Sequence, residues 1–306
     1  MGEPAGIGPE VAAAAFLALG GTVGPRALKI VGDPAVFADF ALPAEAFVAT
    51  EAKAARAPGK PDSANAAATV EAIAKAVALC REGRAGGLVT APINKHVLMR
   101  TGFPFPGHTD YLQHLTGARR AVMMLAGPAL RVVPLTVHVP LADVPGLVTA
   151  AALIETAEIT LDALEHDFGI AGPRLAVAGL NPHAGENGAL GPEEEAVIAP
   201  AIAALAARGR RVLGPLPSDT MFHAEARARY DAALCMYHDQ ALIPIKTLSF
   251  WDGVNVTLGL PIVRTSPDHG TAFEIAGQGK ADHRSMIAAI KMAAEIADAR
   301  AGAARP

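Results

Sequence analysis

The sequence predicts an α/β protein divided into two domains, and three observations carry that expectation. Short apolar runs of strand type alternate with longer Ala-rich stretches of helical type, the pattern left when crossover helices cover a mostly parallel sheet. At 306 residues, 51% of them hydrophobic, the chain passes the length at which one core usually divides. Several strand-like runs end in polar, His-containing turns, where open α/β sheets hold their ligands.

Predicted strands cover 28–31, 87–90, 121–125, 131–137, 175–178 and 232–236, each short, apolar and bounded by Gly, Pro or polar residues. Predicted helices cover 9–19, 63–81, 150–167, 192–208 and 283–300. Ser63 is the expected N-cap of the second, Gly169 closes the third, and Glu193, Glu194 and Glu195 suit the positive end of the fourth. The stretch 50–61, with its Lys, Arg, Gly and Pro content, reads as a mobile surface segment. Met1-Gly2-Glu3-Pro4 reads as the turn that follows a strand, so the first strand is expected to be truncated, by a misassigned start or by a short terminus.

The totals exclude several classes of function. Lys and Arg number 26 against 30 Asp and Glu, a formal net charge of −4, and no basic patch stands out for nucleic acid. Cys80 and Cys235 are too few for a disulfide framework or a thiolate zinc site, which suits the reducing cytoplasm. A mean hydropathy of +0.30 raises the question of a membrane, but Gly, Pro or charge interrupts every apolar stretch before about 18 residues. No spanning helix and no signal peptide is expected.

Histidines mark the chemistry. His138, His183 and His238 each follow a predicted strand, so imidazoles far apart in sequence can converge beyond the carboxyl ends of parallel strands. Three neutral imidazoles suit a divalent metal with open positions. A single histidine is more often a hydrogen-bonded structural residue, and no compact signature such as His-Glu-x-x-His supports the set. The Gly-rich run 2–10 could present backbone N–H groups to an anion, although its spacing equally suits a tight structural turn. The run 268–279 resembles the adenosine-binding loop of isocitrate and isopropylmalate dehydrogenases, in which a similar His-Gly-Ser/Thr-Ala segment holds the cofactor without a Rossmann fingerprint. His269, Gly270, Thr271 and Ala272 are its matching residues. Lys246, Asn255 and Arg264 lie in apolar segments, and His108 and Thr109 form a polar pair in an expected loop; they are the anion-binding candidates.

Taken together, Gly-Glu-Pro-Ala-Gly-Ile-Gly-Pro-Glu at 2–10, Thr-Ala-Pro-Ile-Asn-Lys at 90–95, Gly-His-Thr-Asp at 107–110 and Gly-Leu-Asn-Pro-His-Ala-Gly-Glu at 179–186 read as one series. Gly-Pro-Leu-Pro-Ser-Asp-Thr at 214–220, Met-Tyr-His-Asp-Gln at 236–240 and Thr-Ser-Pro-Asp-His-Gly-Thr-Ala-Phe at 265–273 complete it. The series resembles the 4-hydroxythreonine-4-phosphate dehydrogenase family, in the same order and over nearly the full chain. Departures are Ala241 where Gly is usual, Pro267 where Val is common, and the truncated first strand. The resemblance implies two α/β/α lobes of isocitrate/isopropylmalate dehydrogenase type with the active site in the interdomain cleft. The expected division is a nucleotide-binding lobe, 1–120 with 241–306, and a metal-binding and dimerisation lobe, 121–240.

The same resemblance implies that His138, His183 and His238 ligate one divalent metal, with Zn, Co, Mg and Mn all open. It implies that His108, Thr109, Lys246, Asn255 and Arg264 bind a small phosphorylated substrate, that NAD or NADP is the oxidant, and that a homodimer shares its active sites. The family reaction oxidises 4-phosphohydroxy-L-threonine to a β-keto acid and decarboxylates it to 3-amino-2-oxopropyl phosphate; a divalent Lewis acid can assist both steps. For proton transfer Asp219 and Asp239 are the candidates, each better suited to a cap or a hydrogen bond behind a metal-binding histidine. Rival readings are sister dehydrogenases of 4-phospho-threonate or 4-phospho-erythronate and of aromatic dihydrodiol dicarboxylates. From another class come a metal-dependent hydrolase, a phosphate acyltransferase and a non-catalytic binding protein, all opposed by the dinucleotide-type loop.

Overall fold

The structure, a computed structural model, describes residues 1–303. Contacts divide the described chain into two units, Met1–Ala121 with Leu260–Asp298, and Val122–Gly259 with residues 299–303. The first contains α1 (Gly8–Ala18), β1 (Thr22–Val23), β2 (Arg26–Ala27), β3 (Ile30–Gly32), β4 (Phe47–Ala49), α2 (Ala66–Arg81), β5 (Leu88–Val89), α3 (Lys95–Met99) and α4 (His108–Thr116). The second contains β6 (Val122–Gly127), β7 (Leu130–Pro134), α5 (Val144–Leu147), α6 (Ala150–His166), β8 (Arg174–Ala178), α7 (Ala199–Ala207), β9 (Arg211–Leu216), α8 (Ala224–Arg227), β10 (Ala232–Cys235), α9 (His238–Leu248) and β11 (Val254–Leu258). β12 (Arg264–Pro267) and most of α10 (Arg284–Ala303) return to the first unit.

In the second unit the strand order is β11-β6-β7-β10-β8-β9. β7, β10, β8 and β9 run parallel, and β6 pairs antiparallel with β7 and β11. The central strands β8 and β10 are buried on both faces, with Leu175, Val177, Ala233 and Leu234 fully enclosed, which is why they read as continuous apolar runs rather than alternating ones. Sequence alone suggested 240 as the end of this lobe; α9 and β11 lie with it because β11 pairs with β6 over residues 254–258. In the first unit β12 pairs parallel with β5, and β3 with β4. Ile7, Val11, Ala15, Met286 and Ile290 pack α1 against α10.

Local chemistry explains the helix limits. Thr149 accepts a hydrogen bond from Ala152 N to open α6, and Leu153, Leu161 and Leu164 form its buried face. Gly169, at φ +66°, closes it as expected, with Ile170 N bonded back to Leu164 O. Ser63 is not the cap of α2: Asp62 accepts from Ala64 N to open a 3₁₀ turn, Ser63–Asn65, and α2 begins after it. The helix expected over 192–208 divides into a π-helical turn, Glu194–Ile198, and α7, because Pro200 lacks the N–H that would bond back into the preceding turn.

Residues 50–61 are pinned rather than loose. Glu71 accepts from the amides of Glu51 and Ala52, Asp33 from Ala54 N, and Asn65 from Ala55 N. Arg56 then bridges Glu10 and Asp39. Polar composition marked this stretch as surface; only the distant acceptors show that its backbone is held. Among the described residues no single helix is long and apolar enough to cross a membrane.

One ion pair fastens the entry of β8 to that of β10. Asp231 accepts from Arg174 N, Nε and Nη2 at 2.7, 3.2 and 3.1 Å. Burial would raise the Asp231 carboxyl, but these bonds prevail and hold it below the usual range. A depressed carboxylate stabilises the fold above its unfolded pKa and loses that contribution as pH falls through the folded one. Asp231→Asn should therefore lower unfolding free energy by about 1–3 kcal/mol at pH 7. In urea titrations the gap from wild type should close in acid; a gap independent of pH would overturn the assignment.

Candidate active site

In the second unit the site grows from three neighbouring parallel strands. His138 follows β7, His238 follows β10 and His183 follows β8. The His138 and His238 rings lie 5.8 Å apart between centroids. His238 is the first residue of α9, and its Nδ1 stands 2.7 Å from Asp239 Oδ1. With the ring proton on Nδ1 facing Asp239, the Nε2 lone pair is left for another partner, an arrangement typical of a carboxylate behind a metal-binding histidine. Among the described residues no group of three or more His, Cys, Asp or Glu side chains forms a complete metal-holding set. The donor chemistry nevertheless suits a divalent ion, since exposed and half-buried imidazoles at strand ends offer ring nitrogen.

His183 sits in an unusual turn. Every residue from His183 to Gly188 has positive φ, and four of the six are not glycine. Left-handed backbone is unfavourable for L-residues and persists where surroundings enforce it. Glu194 anchors the chain that leads into this turn: its carboxylate accepts from Leu180 N, Asn181 N and Asn181 Nδ2 at 2.7, 2.7 and 2.9 Å. Glu194 is only 2% exposed. Burial would raise its carboxyl, but the Asn181 and Leu180 hydrogen bonds prevail and hold it below the usual range. Gln240 joins the histidine-bearing loops: Nε2 donates to Gly179 O at 2.8 Å and Ser218 Oγ at 2.7 Å, and Oε1 accepts from Met236 N at 2.6 Å. Asp219, next to Ser218, is exposed. Lys246 lies half-buried in the last turn of α9, and Asn255 half-buried on β11 opposite Leu125.

The first unit assembles a cationic group. Arg264, the first residue of β12, is 4% exposed, and its Nη2 donates to Thr90 Oγ1 at 2.7 Å. Burial pulls its pKa down to about 10, so the guanidinium stays charged at neutral pH. His108 opens α4 instead of lying in a loop, with Thr109 beside it. Burial, followed by the charges of Arg264, the Met1 amino group and Lys95, holds the His108 imidazole well below its ordinary pKa. It is therefore neutral at pH 7, and its buried Nε2 has no hydrogen-bond partner. A neutral imidazole can hydrogen-bond but carries no fixed charge.

Residues 268–279 pack on the Gly-rich start of the chain. Ile7 N donates to Thr271 O at 2.9 Å, and a Cβ on Gly6 would meet Thr271 O at 2.8 Å, which explains the glycine at that position. Gly277 N donates to Glu10. Within the loop, Gly270 has open space around its Cα, Ala272 is at φ +42°, and the buried His269 Nε2 has no partner. An unsatisfied buried nitrogen fits a segment that receives a polar ligand.

The family model of the pyridoxal phosphate biosynthetic protein PdxA matches residues 27–293. The chain belongs to the PdxA family. Among curated PdxA relatives, 4-hydroxythreonine-4-phosphate dehydrogenase of Roseobacter denitrificans is 56% identical over 97% of this chain and 95% of its own. The solved structure of 4-hydroxythreonine-4-phosphate dehydrogenase from Klebsiella pneumoniae is 37% identical, with a TM-score of 0.85, over 97% of this chain and 96% of that one. A terephthalate 1,2-cis-dihydrodiol dehydrogenase from Burkholderia xenovorans LB400 is 27% identical, with a TM-score of 0.67, over 96% of each chain.

Sequence reasoning on this PdxA chain missed two residues that hold the site. Glu194 reads as one of three acids at a helix start, and Gln240 as the end of a His-Asp-Gln run; neither carries a local sign that its side chain reaches backbone groups of the 179–181 turn.

Proposed function

We propose that this chain oxidises 4-phosphohydroxy-L-threonine at its secondary hydroxyl with NAD or NADP, in a divalent-metal-dependent reaction. The β-keto acid then loses carbon dioxide to give 3-amino-2-oxopropyl phosphate. The observation that carries the reading is the pairing of His138 and His238 beyond adjacent parallel strands, with Asp239 holding the His238 ring. The names of the PdxA relatives support the same substrate.

His138, His183 and His238 are the residues proposed to hold the ion, and the 268–272 loop to receive the adenosine end of the cofactor. When bound, the cofactor takes up hydride and the ion withdraws charge from the reacting oxygen. Arg264, oriented by Thr90, binds an anionic end of the substrate and thereby positions the reacting carbon. Neutral His108 and Thr109 add hydrogen bonds there without adding charge, and Lys246 and Asn255 complete the proposed substrate set. With Asp239 committed to His238, Asp219 is the candidate proton carrier.

We extend the reading to a homodimer whose subunits share metal and substrate contacts. Exposed Leu141, Leu147, Ile243, Phe250 and Trp251 in the second unit support a covered surface. Two free cysteines suit action in the cytoplasm.

The test is NAD(P)H formation from 4-phosphohydroxy-L-threonine by chelator-treated protein, before and after adding Zn²⁺, Co²⁺, Mg²⁺ or Mn²⁺. Activity should fall at least about 100-fold on chelation and return with metal. The 27%-identical dihydrodiol dehydrogenase structure supports one rival substrate class. Turnover of an aromatic dihydrodiol dicarboxylate, with none of the phosphorylated amino acid, would replace the proposed substrate.

A further inference from the structure

We infer that Lys95 is a further substrate contact, a cation that binds the phosphate monoester together with Arg264 and His108. The inference rests on the dehydrogenase reading for the identity of the substrate. Its geometry lies wholly within the first unit.

Residues 90–95 connect two parts of the cationic group. At one end Thr90, 5% exposed, accepts from Arg264 Nη2. In the middle Pro92 O accepts from Glu3 N at 2.9 Å. At the other end Asn94 Oδ1 accepts from Val97 N at 3.1 Å and so caps α3, which places Lys95 as the first helical residue. A Cβ placed on Gly107 would stand 3.2 Å from Lys95 Cε and 3.5 Å from Nζ. The ammonium thus lies along the backbone of the residue just before His108. Its charge reaches the imidazole, where it acts with Arg264 to disfavour protonation.

Lys95 is exposed, and among the described residues no carboxylate pairs with it. Exposed lysines are usually solvated, and exposure alone would imply nothing. What separates Lys95 is its company: a buried guanidinium and a neutral imidazole with an unpartnered nitrogen. Two cations and a neutral hydrogen-bonding group lower one another's tolerance for further positive charge, and a dianion relieves all three. A phosphate monoester fits this donor set: Arg supplies a planar fork, Lys a movable point charge and His a directional hydrogen bond. A monocarboxylate offers less charge and fewer acceptor oxygens.

The experiment compares wild type with Lys95→Gln and Lys95→Arg as metal-loaded enzyme. The substrate KM should rise roughly tenfold to a hundredfold in Lys95→Gln, with kcat within about twofold, because an ionic contact made equally in ground and transition states affects binding alone. Lys95→Arg should restore most of the affinity, and the KM for NAD(P) should stay at the wild-type value in both. Calorimetric titration with inorganic phosphate is the second readout, and its affinity should fall in Lys95→Gln by a comparable factor. A change confined to the NAD(P) KM would assign Lys95 to the cofactor and overturn the inference. So would a fall in kcat at constant KM. Should the wild type oxidise no phosphorylated substrate, the dehydrogenase reading fails by itself; equal phosphate affinity of wild type and Lys95→Gln would then defeat the Lys95 inference separately.

Discussion

His183→Gly should abolish metal-dependent NAD(P)H formation and at the same time leave the metal-free protein more stable than His183→Ala by about 1 kcal/mol. The two effects have separate causes. His183 is exposed, and among the described residues its ring makes no hydrogen bond, so truncating the ring removes little from the folded state. Its backbone lies at φ +52° and ψ +29°, where a Cβ is penalised and glycine is not. Alanine retains the Cβ and glycine removes it. Greater freedom of glycine in the unfolded chain opposes the gain, which keeps the expected net effect near 1 kcal/mol rather than above it. Activity should fall at least about 100-fold in both variants, because either change removes a proposed metal ligand.

The check is urea unfolding in chelator, where metal linkage cannot contribute, beside NAD(P)H formation with added metal. If glycine proved less stable than alanine, the turn would not be left-handed in solution. Retained activity would remove His183 from the ligand set. A position where glycine is more stable than alanine but function calls for histidine is one where strain is kept for a functional site.

Glu194→Ala should be the most destabilising polar substitution in the second unit, by about 3–5 kcal/mol at pH 7. The carboxylate is buried and collects two backbone amides and the Asn181 side chain; its removal leaves the two amides without an acceptor, while Asn181 Nδ2 keeps its bond to Glu193 Oε2. Glu194→Gln is the sharper probe. Its carbonyl oxygen can still receive the backbone amides, but its NH₂ must face the donating Asn181 Nδ2, so an intermediate loss is expected.

Hydrogen bonding outweighs burial and depresses the Glu194 carboxyl, which fixes the sign of the pH dependence. The contribution is fully present above the ordinary glutamate pKa and disappears as pH falls through the lower folded value. The free-energy gap between wild type and Glu194→Ala, measured by denaturant titration across acid pH, should therefore narrow toward low pH. Metal affinity should also weaken about 10- to 100-fold in either variant, since the turn carrying His183 loses its anchor. Unchanged affinity in a folded Glu194→Gln protein would show that this anchor serves stability alone.

Much of the architecture is legible without coordinates. Periodicity and apolar runs place β8, β10, α6 and α10 close to their observed limits, because the two strands are buried almost throughout and the two helices bury one face, and burial writes directly into composition. Short or partly exposed elements escape. β9 alternates without a clean apolar face, and β11 and β12 carry Asn, Thr, Arg and Ser inside their strands. His108 and Thr109 read as loop residues because a Gly-Pro-rich stretch precedes them, although they open a nine-residue helix.

The sequence by itself determined the α/β class, the placement of three histidines after strands and the family, since each is written in local pattern or in motifs that keep their order. Tertiary structure decided which groups hold those motifs in place: Glu194 on the 180–181 amides, Gln240 across Gly179, Ser218 and Met236, Thr90 on Arg264, and the scattered acceptors that pin residues 50–61. The physical reason is that a hydrogen bond depends on the final positions of two groups that folding brings together. Thr90 and Arg264 are 174 residues apart in the chain, and neither residue's neighbours encode the other's arrival.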